Sequence, residues 1–239
     1  MNTRRTVLAG LAGLAGLSAV ARLPASDHMS ASVRTGELDF GFGTMARVLA
    51  PAGAAPALFI CGGHAPPDRG AGPLAVQCAA AGFTAVTVNV PAARGRADAA
   101  WLPAAVRWVK DNQSSGRLAP GLVFLAGENH GAAGAFAWAK DFRRALGSTR
   151  LRAVLSINGN YGSSVKAEDI AALTDGDETS IVLISDGGVP DDSLSLGREL
   201  AALGAPFELH LFGKPEPGLP ARANGTAQIQ RLLHQPSAS

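Results

Sequence analysis

Between Gly121 and Gly134 the chain reads Gly-Leu-Val-Phe-Leu-Ala-Gly-Glu-Asn-His-Gly-Ala-Ala-Gly. An apolar run closes on Gly127, a polar triplet follows, and Gly131 opens an alanine-rich stretch of helical composition. A strand that passes into a helix through so short a junction crowds its own backbone. The flanking residues must be small, and the apex residue is driven into a strained conformation, often at φ > 0. Gly127 and Gly131 meet the first demand, and Asn129 is the apex. The pattern predicts a buried strand ending near 126 and a helix starting near 130.

Around this junction apolar runs and helical patterns alternate. Glu37–Phe42 and Met45–Ala50 read as a short antiparallel pair, joined through Gly41-Phe42-Gly43-Thr44 and ended by Pro51. Ala57–Cys61, Phe83–Val90, Leu122–Ala126, Leu151–Ile157, Ser180–Ser185 and Phe207–Phe212 are short, continuous runs of the kind buried on both faces of a parallel sheet. Helical patterns fall between and after them at Pro73–Gly82, Asp98–Asn112, His130–Leu146, Ala167–Leu173, Asp192–Leu203 and Ala223–Leu233. This alternation, with short Gly/Pro-containing loops, predicts an α/β fold: a mainly parallel sheet covered by helices on both faces. The 239 residues, 47% hydrophobic and 17% charged, suffice for one domain with ample core and show no internal repeat. A net charge of +2 without a basic patch gives no case for a nucleic-acid partner.

The first residues stand apart. Met1–Leu8 is short and basic with the pair Arg4-Arg5, and an apolar Gly/Ala/Leu run follows from Val7 to Ala21. That run is shorter than the ~20 apolar residues of a membrane-spanning helix. Ala19-Val20-Ala21 offers a small-x-small cleavage site. The pattern predicts a twin-arginine-like signal peptide over 1–25, a linker and first strand over 26–43, and the folded domain over 44–239. Export to the periplasm or beyond follows, without stable membrane insertion after cleavage; an uncleaved anchor is the alternative. Cys61 ends a predicted strand and Cys78 lies in a predicted helix. An oxidising compartment permits a bridge, but the apolar settings favour two buried free thiols.

From about residue 44 onward the sequence resembles the α/β-hydrolase superfamily in its small form, nearest to the dienelactone-hydrolase and acyl-peptidase-like branch. Phe59-Ile60-Cys61-Gly62-Gly63-His64 resembles the strand and glycine-rich loop that supplies an oxyanion-hole N–H. Asp98–Val109 resembles the helix before the nucleophile strand. Gly127-Glu128-Asn129-His130-Gly131 stands where a nucleophile elbow, Gly-x-Nuc-x-Gly, belongs. Ile181–Pro190 resembles the strand and loop of the triad acid, and Glu208–Gly218 the last strand and histidine loop. The resemblance implies a three-layer α/β/α sandwich with a doubly wound sheet. It also implies the chain order nucleophile, acid, histidine.

Carried over residue by residue, the resemblance places Asn129 at the nucleophile, Asp186 at the acid and Pro217 at the histidine. Gly62, Gly63, His64 and His130 fall around the oxyanion site. Only the acid matches. Lys214–Leu219 holds no histidine, and none occurs between His210 and His234. A carboxamide is not a competent nucleophile at neutral pH and proline has no titratable group. Losing either partner removes most of the rate a triad supplies as a unit.

Other residues are candidates for the missing roles. His64 reads equally as a pocket group and as a loop histidine capping backbone. The useful group of His130 is its backbone N–H, and its side chain reads as packed. His210 alternates along an apolar strand, and His28 and His234 lie in terminal segments. Ser163 and Ser164 could hold a displaced nucleophile but read as ordinary loop serines, and Glu128 reads as an exposed or paired side chain. Asp186, His64 and His130 match no metal-ligand spacing, so neither metal nor cofactor is expected. The sequence thus predicts an exported hydrolase-like protein lacking standard serine-hydrolase activity, with a pocket for a small acyl or ester-like ligand at the strand carboxyl ends. The alternatives are an active ester or acyl hydrolase with a rearranged site, and a scaffold that binds partners.

Overall fold

The computed structural model describes residues 34–41, 43–62, 72–89, 99–162, 165–174, 179–185 and 192–211, all within the compact unit Ser32–Ser239. The expected signal peptide, the closing helix at 223–233 and Gly63, His64, Ser163, Ser164, Asp186 and Pro217 lie outside the described residues.

The described strands form one sheet. They are β1 (Arg34–Asp39), β2 (Met45–Ala50), β3 (Ala55–Cys61), β4 (Thr84–Asn89), β5 (Leu118–Glu128), β6 (Arg150–Ile157), β7 (Ser180–Ser185) and β8 (Glu208–Leu211). The helices are α1 (Gly72–Ala80), α2 (Leu102–Ser114), α3 (His130–Leu146), α4 (Ala167–Thr174) and α5 (Ser193–Ala202), with a 3-10 turn at Ala99–Trp101 leading into α2. The spatial order is β1-β2-β4-β3-β5-β6-β7-β8; β2 runs antiparallel to β1 and β4, and every other pairing is parallel. None of the described helices is long and apolar enough to cross a membrane.

Side chains alternate between two apolar layers. Ala57, Phe59 and Cys61 of β3, Val123 and Leu125 of β5, and Ile181 and Leu183 of β7 join the core that takes the buried stripes of α2, α3, α4 and α5. Leu58, Ile60, Phe124, Ala126, Val182 and Ile184 join the opposite core with Leu74, Ala75 and Cys78 of α1. The result is a three-layer α/β/α sandwich around a doubly wound, mainly parallel sheet. In β6 the parity slips: Leu151 and Val154 share one core while Ala153 and Leu155 share the other. The register shift opposite Val123/Phe124 accounts for this, since Arg152 is an extra residue in the ladder.

Two of the departures of element boundaries from the sequence pattern have a clear local cause. β5 begins at Leu118, not Leu122, because it pairs in two pieces: Ala55 faces Leu118, and the ladder resumes at Ala57 and Val123. Pro120, which has no N–H, and Gly121, at φ +85°, occupy the interruption. β1 occupies 34–39 instead of 37–42 because a tight turn consumes the residues that follow. The Asp39 carboxylate accepts the Gly41 N–H at 2.7 Å, and Phe40 and Thr44 close the turn through main-chain bonds of 3.0 and 2.9 Å.

Candidate functional site

The chain leaves β3 through α1 to β4, then returns through α2 to β5 on the other side of β3. α1 and α2 pack on opposite faces of the sheet. The carboxyl ends of β3 and β5 are therefore adjacent without being consecutive, which is where an open parallel sheet leaves a crevice for ligands. Cys61 pairs with Gly127 at the lip of that crevice.

Asn129 sits at φ 53°, ψ −120°, outside both the helical and the extended basins, with an exposed side chain. The flanking glycines are sterically required. A Cβ on Gly127 would lie 2.3 Å from the Gly131 oxygen and 2.5 Å from the Ala132 nitrogen. A Cβ on Gly131 would lie 2.1 Å from the Cys61 oxygen, so the first turn of α3 rests directly on the end of β3. A conformation like that of Asn129 costs about 1–3 kcal/mol and persists only where neighbours over-determine it. Here the Asn129 N–H donates to the Ile157 carbonyl at 2.9 Å, and the Asn129 carbonyl accepts from Ala132 N at 3.1 Å and Asn160 N at 3.2 Å.

Asn160 belongs to a turn after β6 that is itself anchored. Asn158, at φ 50°, donates its N–H to the Ile184 carbonyl at 2.8 Å. The Asp192 carboxylate accepts from Tyr161 N at 3.0 Å and Gly162 N at 3.3 Å, and Asp192 N returns a bond to the Gly159 carbonyl at 2.9 Å. Beneath the turn the Tyr161 hydroxyl meets Ser156 Oγ at 2.5 Å and Ser193 Oγ at 3.4 Å, both serines being fully buried. The phenol folds so closely over Gly159 that a Cβ there would lie 2.2 Å from the tyrosine oxygen.

No protein-family model matches the sequence, and no curated protein matches it. Solved structures do match by shape. A bacterial heroin esterase superposes with a TM-score of 0.62 at 16% identity, covering 86% of this chain and 86% of its own. An α/β-hydrolase enzyme from a Medee basin deep-sea metagenome gives 0.61 at 16% identity, covering 85% and 99%. A sugar hydrolase from Lactococcus lactis gives 0.60 at 16% identity, covering 84% and 97%. The chain has the α/β-hydrolase fold.

The apex between β5 and α3 presents the Asn129 carboxamide. The adjoining His130 opens α3, with its side chain exposed. Gly62 follows β3, and its N–H donates to the Val88 carbonyl at 3.2 Å. Being committed to the sheet, that N–H is not available to an oxyanion. His210 lies in β8 with Nε2 at 3.1 Å from Glu208 Oε2. Both cysteines are buried, and neither is bridged in a disulfide, as their apolar settings suggested. No cluster of potential metal ligands occurs among the described residues. A cleft of about 310 Å³ opens between α3 and α4 over Phe136, Trp138, Val165 and Ile170; Asn129 is not part of its wall.

Sequence reasoning missed Asn160, Tyr161, Ser156, Asp192 and Ser193, which brace the elbow. Asp192 carries a readable signal as a helix-start residue, but its carboxylate makes no cap bond on α5 and serves the turn after β6 instead. A run of Asn, Gly and Tyr between β6 and α4 marks a turn without indicating what the turn supports.

Proposed function

We propose that this chain is an exported hydrolase-fold protein without serine-hydrolase activity, which binds a small acyl or ester-like ligand at the crevice beside Asn129. The observation that carries the reading is an exposed carboxamide at the apex of a fully formed elbow. A carboxamide both donates and accepts hydrogen bonds, which suits holding a carbonyl or carboxylate, and it supplies no nucleophilic oxygen for acyl transfer. The ligand class is supported by the neighbours in shape space, several of which are described as esterases. Export rests on the Arg4-Arg5 and Val7–Ala21 pattern.

A fluorophosphonate probe tests the chemical half. The mature protein should stay unlabelled, and the Asn129→Ser/Pro217→His double variant should label at position 129. Stoichiometric labelling of the wild type would overturn the reading, and the labelled peptide would name the nucleophile. Titration calorimetry with short-chain carboxylates tests the binding half. Replacing Asn129 by Ala should weaken binding several-fold, as expected for loss of about one net hydrogen bond. An unchanged affinity would put the ligand elsewhere.

A further inference from the structure

We propose that Asn129 is a self-modifying residue: its own backbone geometry prepares the side-chain amide for conversion to aspartate through a cyclic imide with the His130 nitrogen. The inference concerns covalent chemistry within the elbow and does not depend on any bound ligand.

The argument begins with a torsion angle. Around the Cα–C bond of an L-residue the Cβ lies about 120° from the residue's own nitrogen. At ψ −120° the Asn129 Cβ is therefore eclipsed with the following nitrogen, that of His130. An eclipsed arrangement is what a five-membered ring of Cγ, Cβ, Cα, C and the next N requires. A helical residue misses it by about 80° and an extended strand residue by about 105°. Ordinary secondary structure thus protects asparagine from ring closure, whereas the elbow removes that protection. The hydrogen bonds from Ala132 N and Asn160 N to the Asn129 carbonyl hold the peptide plane in this orientation. The side chain is exposed, so water can reach Cγ and ammonia can leave.

The steps balance with water as the only co-reactant. The His130 backbone nitrogen attacks Asn129 Cγ and loses its proton; a Cγ–N bond forms. The Cγ–Nδ2 bond then breaks, and the leaving nitrogen departs with that proton as ammonia. Water opens the ring. Addition at Cγ restores the normal main chain with an aspartate at 129, and addition at the main-chain carbonyl leaves an isoaspartate linkage. The first product places a carboxylate at the apex of the elbow, a side chain that can serve as a nucleophile where an asparagine cannot.

A second asparagine supplies the internal comparison. Asn158 precedes Gly159, and with no side chain to obstruct attack such a pair is intrinsically the more reactive in an unfolded chain. In the fold Gly159 is buried beneath the Tyr161 phenol, and Asp192 N holds its carbonyl. The structure therefore inverts the intrinsic order. The test incubates native full-length protein in heavy-oxygen water at mildly alkaline pH, beside a sample kept unfolded in urea. Mass mapping then follows the tryptic peptides 118–140 and 153–166, which separate the two sites. In the native sample label should enter at Asn129 at least about tenfold faster than at Asn158, a margin comparable to the strain at the elbow. In urea Asn158 should lead. Hydroxylamine added to the native sample should cut the chain between residues 129 and 130, the signature of the imide. A native Asn129 that keeps its amide while Asn158 reacts, the same order of sites in both samples, or conversion without hydroxylamine cleavage would each overturn the proposal. The Asn129→Gln variant, whose side chain is one methylene too long for the five-membered ring, should lose the native-state reaction.

Discussion

The Gly131→Ala substitution tests the elbow at its tightest point. The added methyl would start 2.1 Å from the Cys61 oxygen and 2.9 Å from the Cys61 carbonyl carbon. The oxygen contact is about 1.3 Å short of the distance at which ordinary van der Waals contact begins. Both colliding atoms are main chain of a central strand that pairs on either side, with β4 and β5, so no side chain can turn aside. α3 must lift from the sheet, and α3 carries Ala132, Ala135, Phe136, Ala139 and Phe142 into the core. Overpacking of this kind costs ~1–3 kcal/mol in a core able to adjust and more where it cannot. Against it stands a helix-propensity gain of at most about 1 kcal/mol for replacing glycine. The expected net loss is ~2–4 kcal/mol, which for a domain of this size lowers Tm by roughly 4–16 °C. Urea unfolding followed by circular dichroism gives the value. Gly36→Ala in β1, where nothing lies within 4 Å of the added carbon, serves as control and should stay within about 0.5 kcal/mol of wild type. A Gly131→Ala protein as stable as that control would show that α3 does not rest on the end of β3.

Two further outcomes follow from the core. Tyr161→Phe takes a hydroxyl partner from the buried Ser156 and Ser193 and should cost about 1–2 kcal/mol, read as a lower urea midpoint at unchanged slope; an unchanged midpoint would remove the phenol from the brace. Burial pushes the Cys61 thiol far above its ordinary value of 9.0, so above that pH the unfolded chain releases a proton that the folded chain keeps. Stability should therefore fall with rising pH, by up to about 1.4 kcal/mol per pH unit from this group, and the Cys61→Ala protein should lack that component; parallel stability curves for the two proteins would contradict it.

The parts of this molecule legible in the sequence are those where one residue type answers one local demand. β3 is apolar throughout, and β6 and β7 largely so, because both faces are covered, and short continuous runs announce that. Gly127 and Gly131 were recognisable because backbone meets backbone there and only glycine fits. What the sequence hid depends on partners far along the chain. Gly62 reads as a loop donor until β4 is seen to take its N–H through Val88. Asp192 reads as a helix cap, whereas its carboxylate reaches back 31 positions to Tyr161. Arg152 looks like any strand residue, yet it is the extra one that shifts β6 by a face. Hydrophobic period and turn chemistry are local signals, and none of these three assignments is local.

The same distinction explains how the elbow's conformation can stand independently of the side chain at its apex. The contacts described above that hold Asn129 in its strained conformation are main-chain bonds to Ile157, Ala132 and Asn160, together with the clearance left by two glycines. None of them uses the Asn129 side chain. Asn160 is in turn fixed through its neighbours Tyr161 and Gly162 to Asp192, and Asn158 to Ile184, so the brace runs from the elbow through the turn after β6 to β7 and the start of α5. A brace built from backbone is indifferent to which side chain stands at the apex. Changing that side chain alters what the crevice can bind or attack without altering the scaffold that presents it, and an elbow occupied by serine, aspartate or asparagine should fold with nearly equal ease.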